Sequence, residues 1–352
     1  CDIYIYLDSL QLIQKYNYPA ESHVVTTEDG YLLKTFRIPK RGPPVLLVHG
    51  MGESSDCWLV LGPRKSLAFL LADAGYDVWL YNARGNRYCK NHVKTLSPKQ
   101  FFDFSFEEMG TQDLPATIDY ILRKTTKSKL TYIGFSQGTT AFFIMCSTKP
   151  EYNKKINHAV LLGPVAWLAY TKYPFIKLFN NLLGDLMDLS ENRQIFEPFP
   201  FNRKFNFYHA KVCNTTAYYS FLCHVELYFN FGVRNLRDLT PERLPIITSH
   251  IPAGTSTKTF FHFIQLYGSK RFQRYDYGLD KNRRLYSSSI PPEYNVSLIS
   301  VPCSLFVSEI DWFSDASDIN TLKNKLKSIE RYIVINKSLE FTHLEFTYGS
   351  RV

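Results

Sequence analysis

The sequence predicts an α/β protein with a mostly parallel sheet, helices on both faces and one long insertion. Three observations predict it. Short continuous apolar runs such as "PPVLLVHG" and "YDVWLYN" suit strands buried on both faces. Helical segments alternate with them, and that alternation implies parallel strands joined by crossovers. The rhythm breaks after Leu168 and resumes only near "VPCSLFVS".

The elements follow in order. "HVVTTEDGYLLKTFRIP" reads as two β-branched, aromatic-rich strands around Glu28-Asp29-Gly30, where Asp-Gly favours a tight turn. "PPVLLVHG" is the first buried strand. "SLAFLLADAG" is helical and stops at Gly75. "YDVWLYN" is the next strand. "DLPATIDYILRK" reads as a helix opening at Asp113 as N-cap, with Pro115 in its first turn. "KLTYIGFSQGTTAFFIMC" runs strand, turn, helix, and "HAVLLGPV" is another strand. From about 169 to 295 the chain is rich in Phe, Tyr and Asn without strand–helix alternation. "VPCSLFVS", "DASDINTLKNKLK" and "RYIVIN" then give strand, helix, strand. The domain reading is a core in two parts, 1–168 and 296–352, with 169–295 inserted above the C-terminal strand ends, where such sheets bind ligands.

The 352 residues and an apolar fraction of 45% make the chain globular. No apolar run approaches the ~20 residues of a membrane helix. The net charge of +9 is scattered, with no basic helix or RNA-binding signature, which argues against nucleic acid; a basic protein also favours anionic lipid surfaces. The seven cysteines form no CxxC, so a zinc ribbon or thioredoxin motif is excluded. The chain starts at Cys1 without a Met, as expected after signal-peptide removal or for a fragment. Sequons stand at Asn214, Asn295 and Asn336.

"GFSQG" contains G-x-S-x-G with Ser136 at its centre, between an apolar strand and an apolar helix. That context makes it a nucleophile elbow of the α/β-hydrolase fold. A serine hydroxyl needs a base to take its proton. In this fold an Asp or Glu and then a His follow the Ser. Asp311 lies just past the strand "SLFVS", with Asp315 and Asp318 as competitors; Asp315 reads as an N-cap. His343 in "FTHLEF" follows the next strand and is the only histidine beyond Asp311. The remaining histidines have no metal-ligand spacing. His49-Gly50 in "LLVHGMGESS" shapes a turn that aims the Met51 N–H at a developing oxyanion, with the Gln137 N–H as second donor.

These residues and several longer stretches resemble the acid lipase family, of gastric and lysosomal type with insect relatives. "YNYPAESHVVTTEDGYLLKTFRIP", "LLVHGMGESSDCW", "LADAGYDVWLYNARGNRY", "FSFEEMGTQDLPATIDYI" and "SHIPAGTSTKTFFHFIQL" are similar to its signatures, in the right order. The resemblance implies Ser136, Asp311 and His343 as the triad, with Met51 and Gln137 as oxyanion donors. It also implies a cap with a lid and a bridge between Cys213 and Cys223. The implied reaction is hydrolysis of long-chain carboxylic esters, acylglycerols or sterol esters, at a lipid–water interface and without cofactor or metal, in a secreted or lysosomal protein. A carboxylesterase of shorter esters and a non-catalytic lipid-binding protein on the same fold are the alternatives. The chain departs from the family at Phe135, where His is usual, and at Glu345, where Asp is common. It also lacks the family's final helix. "LEFTYGSRV" is expected to hold no helix and to leave a sheet face exposed, and the natural product is expected to be longer and more stable.

Overall fold

A computed structural model describes residues 2–214 and 218–350. Its centre is a nine-stranded sheet of β1 (Glu21–Thr26), β2 (Tyr31–Ile38), β3 (Pro44–Val48), β4 (Asp77–Leu80), β5 (Asn91–His92), β6 (Leu130–Phe135), β7 (Ile156–Leu162), β8 (Cys303–Ser308) and β9 (Ile329–Ile335). The spatial order is β1-β2-β4-β3-β6-β7-β8-β9, with β5 beside β2. β1 and β2 form the expected antiparallel hairpin, and Gly30 takes φ +97° at its turn. β2 meets β4 antiparallel, and every pairing from β4 through β3, β6, β7 and β8 to β9 is parallel. β5 is only two residues long, too short to show alternation in the sequence.

The apolar runs are buried on both faces, as continuous runs require. Leu46 and Val48 of β3 enter one hydrophobic cluster with Tyr132, Phe142 and Leu305. Val45 and Leu47, pointing the other way, enter a second with Ile133, Phe135 and Phe346. Because β3, β6, β8 and β9 are parallel, the segments that leave them emerge at one edge of the sheet.

Asp113 precedes the helix Leu114–Thr125 as expected, but its side chain makes no capping hydrogen bond. The helical run begins at Phe106–Glu108, passes through a wide turn at Met109–Asp113 and continues as Leu114–Thr125. Its start is a capping box: Ser105 accepts the Glu107 N–H, and Glu108 reaches back to the Ser105 N–H at 2.7 Å. Asp113 is buried inside the run, where it accepts from Arg84 Nε at 2.7 Å and the Tyr81 hydroxyl at 3.0 Å. The other nitrogens of Arg84 hold Asp29 at 2.6 and 2.9 Å, and its guanidinium lies 3.9 Å from the centre of the Tyr31 ring. One buried cation therefore ties the β1–β2 turn to the segment after β4 and to this helix.

Between β7 and β8 the chain forms helices at Ile176–Asn181, Leu183–Asn192, Arg203–Val212, Ser220–Phe231, Leu244–His250, Thr257–Ser269 and Leu279–Tyr286. Cys213, at the end of the third, is disulfide-bonded to Cys223 in the fourth. Cys57, Cys89, Cys146 and Cys303 are free and buried; Cys1 lies outside the described residues. So does Thr216 of the Asn214 sequon. After β9 the chain turns through Lys337–Leu339 and then forms a short helix, Glu345–Tyr348, where no helix was expected. Phe346 and Tyr348 bury their rings and anchor it, while Tyr332 and Val334 of β9 are exposed. Among the described residues no helix is long and apolar enough to cross a membrane.

Arg84→Met leaves Asp113 buried without its cation. The expected destabilisation is about 3–5 kcal/mol, read from the shift of the urea unfolding midpoint. A loss below about 1 kcal/mol, the range of an exposed pair, would contradict the structural role assigned to Arg84.

Candidate active site

Ser136 sits between β6 and the helix Gln137–Thr148 with φ 51° and ψ −117°, a conformation rare outside glycine. Its neighbours make the turn possible. A Cβ on Gly138 would lie 2.5 Å from the Val48 carbonyl oxygen, and one on Gly134 would lie 2.8 Å from the Tyr132 ring. Glycine at both positions lets the helix start close against β3 and β6. The Ser136 N–H is held by the Leu162 carbonyl at 3.0 Å, which locks the turn to β7.

His343 Nε2 is 2.8 Å from Ser136 Oγ, and His343 Nδ1 is 2.7 Å from Asp311 Oδ2. The second oxygen of Asp311 accepts the N–H groups of Phe313 at 2.8 Å and Ser314 at 3.1 Å. Asp311 and His343 are buried, and Ser136 remains partly exposed. The Ser308 hydroxyl at the end of β8 donates to the Phe341 carbonyl, fastening the histidine's loop beside the aspartate's. Gly163 clears space for the imidazole, since a Cβ there would lie 3.1 Å from the ring. Phe135 and Phe313 flank that ring, with centroids 4.9 and 5.0 Å away.

The competing aspartates are occupied elsewhere. Asp315 caps the helix Ala316–Lys325 through the Ser317 N–H and pairs with Lys172 at 2.9 Å. Asp318 accepts the N–H groups of Ala169 and Tyr170, and burial pushes its carboxyl up to about 6.

The loop after β3 is fixed by His49. Its Nε2 accepts the Ala83 N–H at 3.1 Å, so the proton is on Nδ1, which donates to the Gly50 carbonyl at 2.8 Å. Burial pushes this imidazole down to about 4 and keeps it neutral. Holding the Gly50 carbonyl fixes the peptide plane whose other end is the Met51 N–H. Gln137 opens its helix, so its N–H has no carbonyl one turn back. The loop packs on the elbow: a Cβ on Gly50 would meet Phe135 at 3.1 Å and Glu53 Oε2 at 2.9 Å.

Glu53 was not legible as part of this region. It is buried and accepts both the Gly50 N–H and the Tyr348 hydroxyl at 2.8 Å. A lone glutamate in a loop carries no sequence signal for such a role. Away from this edge, His209, Cys213, Cys223 and Glu226 bring potential ligand atoms within 4.8 Å of one another, but the two sulfurs are bonded to each other.

An elbow serine, an acid and a histidine in this chain order, on the edge of a parallel sheet, define an α/β hydrolase. Residues 43–347 match the family model described as alpha/beta hydrolase fold, and residues 10–62 match one described as a partial alpha/beta-hydrolase lipase region. The chain is 42% identical to Lipase 1 of Drosophila melanogaster over 96% of this chain and 75% of that protein. It is 38% identical to human gastric triacylglycerol lipase over 96% of this chain and 86% of that one. A solved alpha/beta hydrolase fold protein from Nakamurella multipartita shares the fold, with a TM-score of 0.50 and 12% identity over 94% of each chain. The chain belongs to the acid lipase family.

His49 is expected to remain neutral, with Nδ1 protonated, between about pH 5 and pH 8. Nitrogen-detected NMR of the imidazoles measures this directly, and a midpoint near the ordinary histidine value of about 6.5 would refute the buried neutral tautomer.

Proposed function

We propose that the protein hydrolyses carboxylic esters of lipids through an acyl-enzyme on Ser136. The observation that carries this reading is the chain of two short hydrogen bonds, Asp311–His343–Ser136, at the mouth of the strained elbow. Ser136 Oγ attacks the ester carbonyl carbon as His343 Nε2 takes its proton. Asp311 holds the imidazole with its proton on Nδ1 and stabilises the imidazolium. The Met51 and Gln137 N–H groups bind the tetrahedral oxyanion; one such donor is typically worth ~3 kcal/mol. The alcohol leaves with the proton from His343, and water then attacks the acyl-enzyme by the same route.

The lipid preference has its own support. Relatives at 37–42% identity are named lipases, among them gastric triacylglycerol lipases. The helices between β7 and β8 serve as a cap, residues 169–295, over the site. Helix Ser220–Phe231 turns Phe221, Leu222, Val225, Tyr228 and Phe229 to solvent, while Cys223 and Leu227 face inward. That spacing puts five large apolar side chains on one stripe, the form of a helix that lies in a lipid–water interface. The cap's disulfide requires an oxidising compartment, which favours a secreted protein, with the lysosome as the alternative. Asn295 and Asn336 are exposed, so their sequons are open to glycosylation there.

Ser136→Ala is expected to abolish ester turnover and labelling by a fluorophosphonate while leaving thermal unfolding unchanged. Asp311→Asn is expected to lower kcat by about 10⁴-fold, the scale of a wrong imidazole tautomer. Asp315→Asn is expected to leave kcat within a small factor of the parent. A damaging Asp315→Asn beside a mild Asp311→Asn would overturn the assignment.

Phe221→Ser with Phe229→Ser is expected to depress turnover on emulsified long-chain triacylglycerol far more than on a soluble short-chain ester. Equal loss on both, or none on either, would remove the interfacial role. A wild-type chain-length series with its maximum at short acyl chains would favour the carboxylesterase alternative.

A further inference from the structure

Glu53 occupies a place that the proposed reaction does not yet use. Its side chain is enclosed between the oxyanion loop and the segment that carries the histidine. One oxygen accepts the Gly50 N–H and the other accepts the Tyr348 hydroxyl, each at 2.8 Å. Gly50 is thus pinned at both ends, its N–H by Glu53 and its carbonyl by His49. Tyr348 lies in the helix Glu345–Tyr348, immediately after His343, and is buried. The same carboxyl is close enough to feel the charge on His343.

We propose that Glu53 is a positioning residue: its carboxylate fastens the oxyanion loop to the histidine segment and supports the imidazolium charge that His343 acquires in the transition state. The proposal rests on the Ser136–His343 reading above. No residue type in the sequence marks it, because the two segments it joins, the loop after β3 and the stretch from His343 to Tyr348, lie far apart in the chain. Neither Gly50 nor Tyr348 gives its proton away, so no bond is made or broken at Glu53. It acts through the loop and through His343.

The geometry has a consequence for pH. The groups that face Glu53 are Tyr348 and His343 from the C-terminal segment, and Cys57 from the turn Ser55–Trp58. Burial pushes the Glu53 carboxyl up to about 7, against the stabilising hydrogen bonds of Tyr348 and Gly50 and the charge of His343. The supportive carboxylate therefore forms as pH rises through about 7. Stability moves the other way. A carboxyl whose folded pKa exceeds its unfolded value favours the native state at low pH, and that contribution is lost as pH rises through the folded pKa.

The experiment uses Glu53→Gln and Tyr348→Phe in the full chain. Turnover of a soluble p-nitrophenyl ester and thermal unfolding are both followed from about pH 5 to about pH 9. Glu53→Gln is expected to lower kcat by about tenfold to a hundredfold with KM little changed, the scale of a displaced catalytic group. Its acid limb is expected to lose the component that rises through about 7, since the Glu53 ionisation has gone. Its melting temperature at alkaline pH is expected to equal or exceed that of the parent. Tyr348→Phe removes one donor from the carboxylate and is expected to shift the limb to higher pH. A Glu53→Gln protein with the parent's kcat and limb would overturn the proposal, as would one that melts lower while its folded fraction turns over normally. Fluorophosphonate labelling of the parent is the control. A parent that is not labelled at Ser136 sinks the nucleophile reading and this proposal with it, whereas a labelled parent confines any failure to Glu53.

Discussion

The approach of Gly138 to the Val48 carbonyl is the contact on which the rest of this edge depends. With a Cβ 2.5 Å from that oxygen, the helix Gln137–Thr148 would have to move away from β3. Ser136 would then lose the geometry that holds it at φ 51°, and the loop after β3 would no longer flank it. Parallel pairing carries the constraint outward. β6 is hydrogen-bonded between β3 and β7, and β8 lies next to β7, so the loops of Met51, Ser136 and Asp311 keep their spacing through the ladder. A strained residue persists only where its surroundings over-determine it, and here they are sheet ladders on both sides.

Buried polar groups do the orienting, and each is held at least in part by backbone. His49 spends both nitrogens on main-chain groups, Asp311 accepts two N–H groups besides His343, and Glu53 accepts one. Main-chain partners cannot rotate away as side chains can, so these links are rigid. They also set opposing pH demands. The neutral imidazole of His49 costs stability as pH falls from about 6.5 towards 4, because the unfolded chain takes up a proton that the buried ring refuses. The raised carboxyl of Glu53 costs stability as pH rises towards 7. The native edge is held between a base that resists protonation and an acid that resists ionisation.

The strands and the elbow were legible because their signals are local. A buried parallel strand is a continuous apolar run, and an elbow is a strand, two glycines and a helix. Asp113, two residues before Pro115, looks like a capping carboxylate at a helix start, whereas the capping signal, Ser105 with Glu108, lay further upstream. A buried partner, Arg84, then claimed the carboxylate. The helix Glu345–Tyr348 was missed since four residues are too few for a period to show; burial of Phe346 and Tyr348 holds it, not propensity. Glu53 was invisible for a different reason. Gly50 is a local partner three residues away, but Tyr348 is brought to it only by the closed fold, and no spacing in the chain encodes that meeting.

The segment between β7 and β8 obeys a different rule from the sheet. A strand buried on both faces leaves no choice about where its apolar residues go, but a surface helix can turn its stripe inward or outward. Helices Ile176–Asn181 and Leu183–Asn192 bury none of their residues, and Ser220–Phe231 buries only Cys223 and Leu227. Such helices gain little from the core, so the disulfide between Cys213 and Cys223 supplies the local tether that packing does not. An outward apolar stripe is a liability in water and an asset at a lipid surface, where the same side chains find their apolar phase. The rigid sheet thus holds Ser136, Asp311 and His343 in register, whereas the loosely packed helices leave their apolar side chains uncovered.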